Sequence, residues 1–370
     1  MSDKIFLEFS NDAKTWKKVE HFISYTVEAD LYVADHAFSL ELANPEIDIH
    51  PGSQCRLYVN DQLELTGIVD RRARRCDKQG KKLTIEGRDL MGLLVDSYCE
   101  QFITVQNTKL SALAELLLKT VPFINRKDII YQQDLVGKLK TRKRRGTSDF
   151  MAFFDAPQKM AMIAPGMTIF QVLQTYALSR GQMFYGLPDG TFVFGRPLVG
   201  GEPEYSLIIN KEGIGNNLIS ADVEENISKR FSKVTVIGQQ QGDDLMDMDA
   251  TKVQTKATVA DPGFPFYKPF VQCNNNDSQS PALHARLLMT RMQHEGFRLT
   301  YELARHSQNG RNFSLNRMAQ VKDSIHDVDG AFLITGRTFK LDKQSGASTL
   351  LRLSPPGLVE DSGLQKGARK

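Results

Sequence analysis

The chain is 370 residues long, which at about 100 to 200 residues per domain implies two to four domains. Hydrophobic residues make up 41% of it, the share of a globular protein, which excludes disorder as the main state. Lys and Arg total 47 against 44 Asp and Glu, and a net charge of +3 is too small to make nucleic acid or an anionic membrane the default partner.

The first hundred residues read as one antiparallel strand after another. Ala37 to Leu42 alternates, which puts Phe38, Leu40 and Leu42 on one face. Asn44-Pro45 stops that strand, and Pro51-Gly52 turns into a strand from Cys55 to Val59. Asn60-Asp61 closes a hairpin with Leu63 to Val69, and Arg71 to Cys76, a turn at Asp77 to Gly80, and Leu83 to Ile85 follow. Short strands with turns every 8 to 12 residues predict a small barrel or sandwich.

From about residue 100 the period changes. Thr108 is placed to cap a helix carrying Leu110, Leu113, Ala114, Leu117 and Leu118, ended before Pro122. A second helix starts at Thr168, where Thr-Ile-Phe-Gln is a capping box. Ile169, Val172, Leu173, Tyr176 and Ala177 form its buried stripe, and Gly181 ends it. Met183 to Tyr185 and Thr191 to Phe194 pair across Pro188-Asp189-Gly190. Strands resume at Leu218 to Val223 and Phe231 to Ile237. Residues 239–280, rich in Gln, Asp, Asn, Gly and Pro, read as a long loop that is either exposed or ordered only on assembly. Ser280-Pro281 opens a helix with Leu283, Leu287, Leu288 and Met292 on one face before Gly296. Phe332 to Thr335, Arg337 to Leu341 and Thr349 to Leu353 are the last strands, and a frayed tail follows Pro355-Pro356.

One repeat stands out. Leu65-Thr66-Gly67, a Lys-Gln turn closed by Gly80 and Leu83-Thr84-Ile85 match in order Ile334-Thr335-Gly336, a Lys-Gln turn closed by Gly346 and Thr349-Leu350-Leu351. Duplication implies two related barrels, the second split around the helix near 281–295. Three copies in a ring then present six similar units, so a three-fold object can dock on a six-fold one.

Motifs of chemistry are scarce. Cys55, Cys76, Cys99 and Cys273 are too sparse for a disulfide scaffold and form no C-x-x-C pair, so they read as free thiols in a reducing compartment. The residues from Met1 to Phe9 are not a secretory leader, and no run approaches the roughly 18 apolar residues of a membrane span, so the cytoplasm is the expected compartment and no membrane anchor is expected. The seven histidines form no H-E-x-x-H, and His284 and His294 stand about 15 Å apart along their helix. No metal and no cofactor is expected. No nucleophile elbow or phosphate loop occurs, and Gly213-Ile214-Gly215 precedes a strand rather than a helix. Asp243, Asp244, Asp247 and Asp249 can be drawn as acid and base of a peptidoglycan hydrolase, but lie in a polar loop with no apolar pocket.

Two basic clusters remain. Lys138, Lys140, Arg142, Lys143, Arg144 and Arg145 read as an exposed loop that orders against an acidic partner, with nucleic acid as the other reading. In the second, alternation sends Arg72 and Arg74 to one strand face and Arg71 and Arg75 to the other, as on a solvated or subunit-facing wall.

The runs Leu65 to Asp70, Leu83 to Asp89 with Leu94 to Asp96, Ile169 to Gly181 with Pro188 to Gly190, Lys229 to Ser232 with Val236 to Gln239, and Phe332 to Leu353 resemble the baseplate hub, a 43 kDa tail protein, of Mu-like contractile-tailed phages and prophages. The likeness spans nearly the whole chain. It implies a mainly β fold with α+β insertions: two tail-tube-like antiparallel β-barrel domains plus two small α/β domains, related to the hub part of type VI secretion spike proteins. The expected segments are a first barrel at 1–100, a helix-plus-hairpin domain at 101–204, a split second barrel at 205–240 and 325–356, a small α/β insertion with a long loop at 241–324, and a flexible tail at 357–370. The resemblance implies a non-enzymatic homotrimer joining the six-fold tail tube to a three-fold central spike. Its partners are then itself, the tube protein, the spike protein and other baseplate proteins, with assembly in the bacterial cytoplasm and residence in the virion baseplate. One departure is that Leu315 to Ser324 lacks the Trp often found ahead of the last strands of such hubs. Gly67 and Gly87 are expected at turns or close strand approaches, and Arg88, Asp89, Arg230 and Ser232 as internal barrel pairs. Arg88 and Asp89, adjacent on a strand, are expected to face opposite ways and to have different partners.

Overall fold

The computed structural model describes residues 3–43, 45–78, 80–119, 121–123, 129–131, 158–197, 200–239, 254–274, 281–342 and 346–356. The first strands are β1 (Ile5–Ser10), β2 (Lys17–Val19), β3 (Ser24–Asp30), β4 (Ala37–Ala43), β5 (Gln54–Val59), β6 (Gln62–Asp77) and β7 (Gly80–Asp89), all antiparallel. Phe38, Leu40 and Leu42 of β4 are buried, as a period of two demands. Asn60 and Asp61 have φ of 50° and 59° and make the tight turn between β5 and β6. The two strands expected at 63–69 and 71–76 are one long strand, β6, whose register against β7 shifts between Val69 and Arg71. Such a bulge lets a strand bend without ending.

A helical layer follows: α1 (Leu90–Asp96), β8 (Ile103–Thr108), α2 (Leu110–Leu118), β9 (Ile130–Tyr131), β10 (Gln158–Ile163), α3 (Ile169–Leu178), β11 (Met183–Gly186) and β12 (Phe192–Gly195). The stripe expected on α2 is buried. Thr108 does not cap it, because Thr108 ends β8 and Lys109 occupies the cap position without a side-chain hydrogen bond. On α3 the capping box is complete: Gln171 N donates to Thr168 Oγ1 at 3.1 Å and Thr168 N to Gln171 Oε1 at 3.0 Å. The helices pack on Phe184, Phe192 and Phe194 of the β11–β12 hairpin.

The remaining elements are β13 (Tyr205–Ile209), β14 (Leu218–Glu225), β15 (Lys233–Gln239), β16 (Gln254–Ala260), β17 (Pro269–Asn274), α4 (Pro281–Gly296), β18 (Phe297–Ala304), β19 (Ser307–Gln308), β20 (Arg311–Asn312), β21 (Met318–Asp323), β22 (Val328–Asp342) and β23 (Gly346–Ser354). β15 does not join the strands on either side of it, as the 205–240 segment supposed. It forms a separate sheet, β16-β15-β17, and Val234 and Val236 pack on Ala285 and Met289 of α4. Two parts of the stretch expected as loop, 254–260 and 269–274, are thus strand, because they find partners on β15. Conversely β18 and β21, expected in the insertion, belong to the main sheet. Ser280 and the tail at 357–370 lie outside the described residues.

The strands expected at 332–335 and 337–341 are also one, β22, with a register shift against β23 between Ile334 and Gly336. The suspected repeat therefore has a geometric counterpart. In each copy a strand of 16 or 15 residues carries a bulge near its middle and turns into its partner through a positive-φ glycine, Gly80 at +119° or Gly346 at +79°.

The two halves share one 13-stranded sheet. Its order is β14-β18-β23-β22-β3-β4-β7-β6-β5-β1-β2, with β13 and β21 branching from β22. β22 is the joint. Along one edge Val328–Leu333 pairs with β21 and Gly336–Leu341 with β3, while β23 follows the other edge. The apolar core is likewise common, running from Leu7, Leu40 and Ile85 to Leu299, Phe339 and Leu351.

Candidate functional site: the junction and the outer strands

Buried polar groups concentrate where the halves meet. Glu64 and Arg337 form an ion pair with both side chains 4% exposed, and Arg337 Nη1 also donates to Phe313 O at 2.8 Å. Asn312 Nδ2 donates to Val59 O at 2.8 Å and to Glu64, and Tyr205 Oη donates to Asn312 O at 2.6 Å. Glu64 reaches this place because it is the residue skipped between the pairs Tyr58–Leu63 and Leu57–Leu65, so the bulge turns it inward.

His306 lies beside this network. Thr349 Oγ1 gives its proton to Arg305 O at 2.6 Å, so it accepts from His306 Nδ1 at 2.9 Å, and His306 Nε2 is left to accept from Tyr25 Oη at 2.7 Å. His294 has the other tautomer: its Nε2 donates to Pro355 O at 2.8 Å and its Nδ1 accepts from Tyr32 Oη at 2.7 Å. Both rings are neutral. Burial pushes His284, His294 and His306 each down to about 4.

Gly67 and Gly87 sit where β6 and β7 cross closely. A Cβ on Gly67 would stand 1.8 Å from Arg88 O, and one on Gly87 2.3 Å from Ile68 O and 2.6 Å from the Phe38 ring. Arg88 and Asp89 do face opposite ways. Arg88 Nε donates to Asp70 Oδ2 at 2.7 Å, Nη1 to Asp35 Oδ2 at 3.1 Å and Nη2 to Asp96, which ties β6, the segment before β4 and the end of α1 together. Asp89 is buried, accepts from Met91 N at 3.1 Å as the cap of α1, and lies 3.5 Å from His36 Nδ1. Burial pushes its carboxyl up to about 8 and the His36 ring down to about 4.

Arg230 and Ser232 are not barrel pairs. They lie between β14 and β15, where Arg230 Nη2 donates to Asp261 Oδ2 at 2.7 Å and its stem covers Gly296. Lys268 N donates to Ser232 Oγ at 2.9 Å. The pair braces the small sheet against the end of α4 and shares no partner with Arg88 or Asp89.

The basic cluster from Lys138 to Arg145 and the carboxylates Asp243, Asp244, Asp247 and Asp249 fall outside the described residues. The second basic cluster is on the exposed β6–β7 hairpin, with Arg71 on Glu86 at 2.8 Å and Arg72 on Ile49 O at 2.7 Å. Arg72 and Arg74 stand opposite Ile85 and Leu83, and Arg71 and Arg75 opposite Glu86 and Lys82, so the two faces are those alternation gives. All four cysteines are free thiols, and Cys55 and Cys99 are buried. Among the described residues no group of three or more His, Cys, Asp or Glu is placed to hold a metal, and no helix is long and apolar enough to cross a membrane. The arrangement holds strands together and offers open strand edges; among the described residues it brings no acid, base and nucleophile together.

Comparison with known proteins agrees. Residues 13–89 match the family model of Mu phage baseplate assembly protein GpP-like, N-terminal, and residues 230–286 that of tail protein NMB1110-like, third domain. The second match coincides with the small sheet and the start of α4. The structure of the tail protein from Neisseria meningitidis superposes with a TM-score of 0.77 at 24% identity, covering 97% of this chain and 98% of that one. The prophage MuSo2 43 kDa tail protein of Shewanella oneidensis gives 0.73 at 20%, covering 96% and 99%. A component of the E. coli type VI secretion system, described as similar to T4 tail proteins gp27 and gp5, gives 0.58 at 11%, covering 94% and 76%. The chain therefore has the fold of phage-tail proteins. More narrowly, it is a homologue of baseplate hub protein gp44 of Escherichia phage Mu, 22% identical over 312 residues that cover 82% of this chain and 76% of that protein.

Proposed function

We propose that the chain forms the homotrimeric hub of a contractile phage or prophage baseplate, adapting a six-fold tail tube to a three-fold central spike. The observation that carries this is the pair of matched hairpins, β6–β7 and β22–β23, built into one sheet. Each hairpin belongs to its own barrel in this reading, β1 to β7 in the first and β13, β14, β18 and β21 to β23 in the second. Closure of the second is supported by Asn217, whose N donates to Ile208 O at 3.0 Å and whose Nδ2 donates to Ser206 O at 2.7 Å, linking β13 to the start of β14. Two like units per chain give three copies a near six-fold outline, which matches a tube ring, while the true symmetry stays three-fold for the spike. The Mu homologue's role as a baseplate hub supports the tube, the spike and other baseplate proteins as partners. The chain would assemble in the host cytoplasm and act in the virion.

Light scattering on the purified chain, followed by electron-microscopic class averages down the particle axis, tests the reading. A trimer with six similar lobes is expected. A monomer at micromolar concentration, or a trimer with three lobes and no second set, overturns it.

A further inference from the structure

Two exposed strand edges of the main sheet carry opposite charge. β14 ends the strand order and pairs with β18; β13 reaches it only through Asn217, ahead of its first residue, so Asp222–Glu225 has no strand on its outer side among the described residues. The strand presents Asp222, Glu224 and Glu225, all exposed and without an ion pair among the described residues, together with Ile219, 58% exposed. The other edge is the second half of β6. β5 covers β6 only as far as Ile68, so Arg71–Cys76 pairs with β7 on one side and has no backbone partner on the other among the described residues. From Arg71 to Lys82 this hairpin holds seven Lys or Arg against one acid, Asp77. The acidic and basic edges are the two ends of eight strands in unbroken order, β14-β18-β23-β22-β3-β4-β7-β6.

Charges on an open strand edge repel a like edge and still admit one of opposite sign. We propose that the basic half of β6 in one copy of the chain lies along the acidic β14 of the next, so that a ring closes head to tail. The inference rests on the trimeric reading above and names its contact. The occupant is a second copy because both complementary edges are on this chain and lie at opposite ends of one eight-strand arc. Each copy then gives one edge and receives one, a heterologous contact that closes when the rotation per copy fits the ring. Cross-strand pairs of opposite charge favour that neighbour, and like charges reject β14 against β14 or hairpin against hairpin.

Charge reversal tests it on the full chain. One variant carries Asp222→Lys, Glu224→Lys and Glu225→Lys, a second carries Arg71→Glu, Arg74→Glu and Arg75→Glu, and a third carries all six. Circular dichroism and thermal unfolding check that each is folded. Light scattering should show each three-residue variant dissociating at concentrations about tenfold or more above wild type. The six-residue variant, whose edges are again opposite, should return to trimer. An equimolar mixture of the first two should not form trimers, since its good contacts alternate and an odd ring cannot alternate.

If wild type is trimeric and both three-residue variants remain equally so, this contact is wrong and the trimer stands. If the six-residue variant is folded and monomeric, the contact is also wrong. If wild type itself is monomeric, the trimeric reading fails first and this contact with it. A hairpin variant that stays trimeric but no longer retards duplex DNA in a gel would assign the hairpin to nucleic acid and overturn the proposal.

Discussion

Glu64 shows how much one inserted residue decides. In Leu63-Glu64-Leu65 strict alternation sends the carboxylate away from one leucine face, and nothing in the sequence says that the register slips there. The slip places Glu64 in the core against Arg337, 273 residues away in the chain. Asp70 and Thr335 are skipped at the other bulges, and each has a structural partner, Arg88 for Asp70 and the Arg352 carbonyl for Thr335. These residues were invisible to a period of two because a bulge is an exception to it. Gly67 and Gly87, by contrast, were legible, since a glycine inside a strand signals close approach. We expect Glu64→Ala to destabilise the chain by about 3 to 5 kcal/mol, because Arg337 is left buried with its charge unpaired. Urea unfolding measures this. The double change Glu64→Ala with Arg337→Leu should cost clearly less than the two single changes summed.

Among the elements, those fixed by neighbours in sequence were readable and those fixed by distant partners were not. α3 was legible to its cap, because the capping box and the stripe from Ile169 to Ala177 are local. Replacing Thr168 by Ala should lower stability by about 1 kcal/mol, seen as a lower urea midpoint with unchanged slope, since Gln171 N loses its acceptor at the start of the helix. The strand at 233–239 was also recognisable as a strand. Its sheet was not, because β16 and β17 have polar sequences whose strand character comes from pairing with β15. α1 was missed altogether: its seven residues follow β7 without a loop, and the Asp89 cap reads in sequence as the last residue of a strand.

At the scale of the whole molecule, two barrels read from a repeat become halves of one continuous sheet, and the titrations buried in it set the pH range of stability. His284, His294 and His306 are neutral when folded and have pKa values near 4, below the ordinary value of 6.5. The unfolded chain therefore binds more protons between those values, and stability is lost as pH falls from 6.5 towards 4. Asp89, raised to about 8, acts in the opposite sense and cancels His36 over that interval, because folding removes one proton there and supplies another. Above pH 6.5 Asp89 acts alone, and stability falls as pH rises through 8. We expect the melting temperature to peak near pH 6.5, with the steeper decline on the acid side, where up to three protons per molecule steepen the slope to at most about 4 kcal/mol per pH unit. Thermal scans in buffers from pH 4 to 9 decide this; a flat profile across pH 4 to 6.5 contradicts it.

The bulge at Thr335 gives β22 a further property. Below it the strand borders β21, above it β3, and the extra residue keeps Phe339 and Leu341 pointing into the shared interior on the far side. Because side chains alternate, losing that single residue would turn the whole upper run inside out while leaving the lower run correct. The molecule is thus in phase with itself only by virtue of an irregularity, and a lineage carrying this fold can tolerate drift in its loops far more readily than a one-codon deletion at its centre.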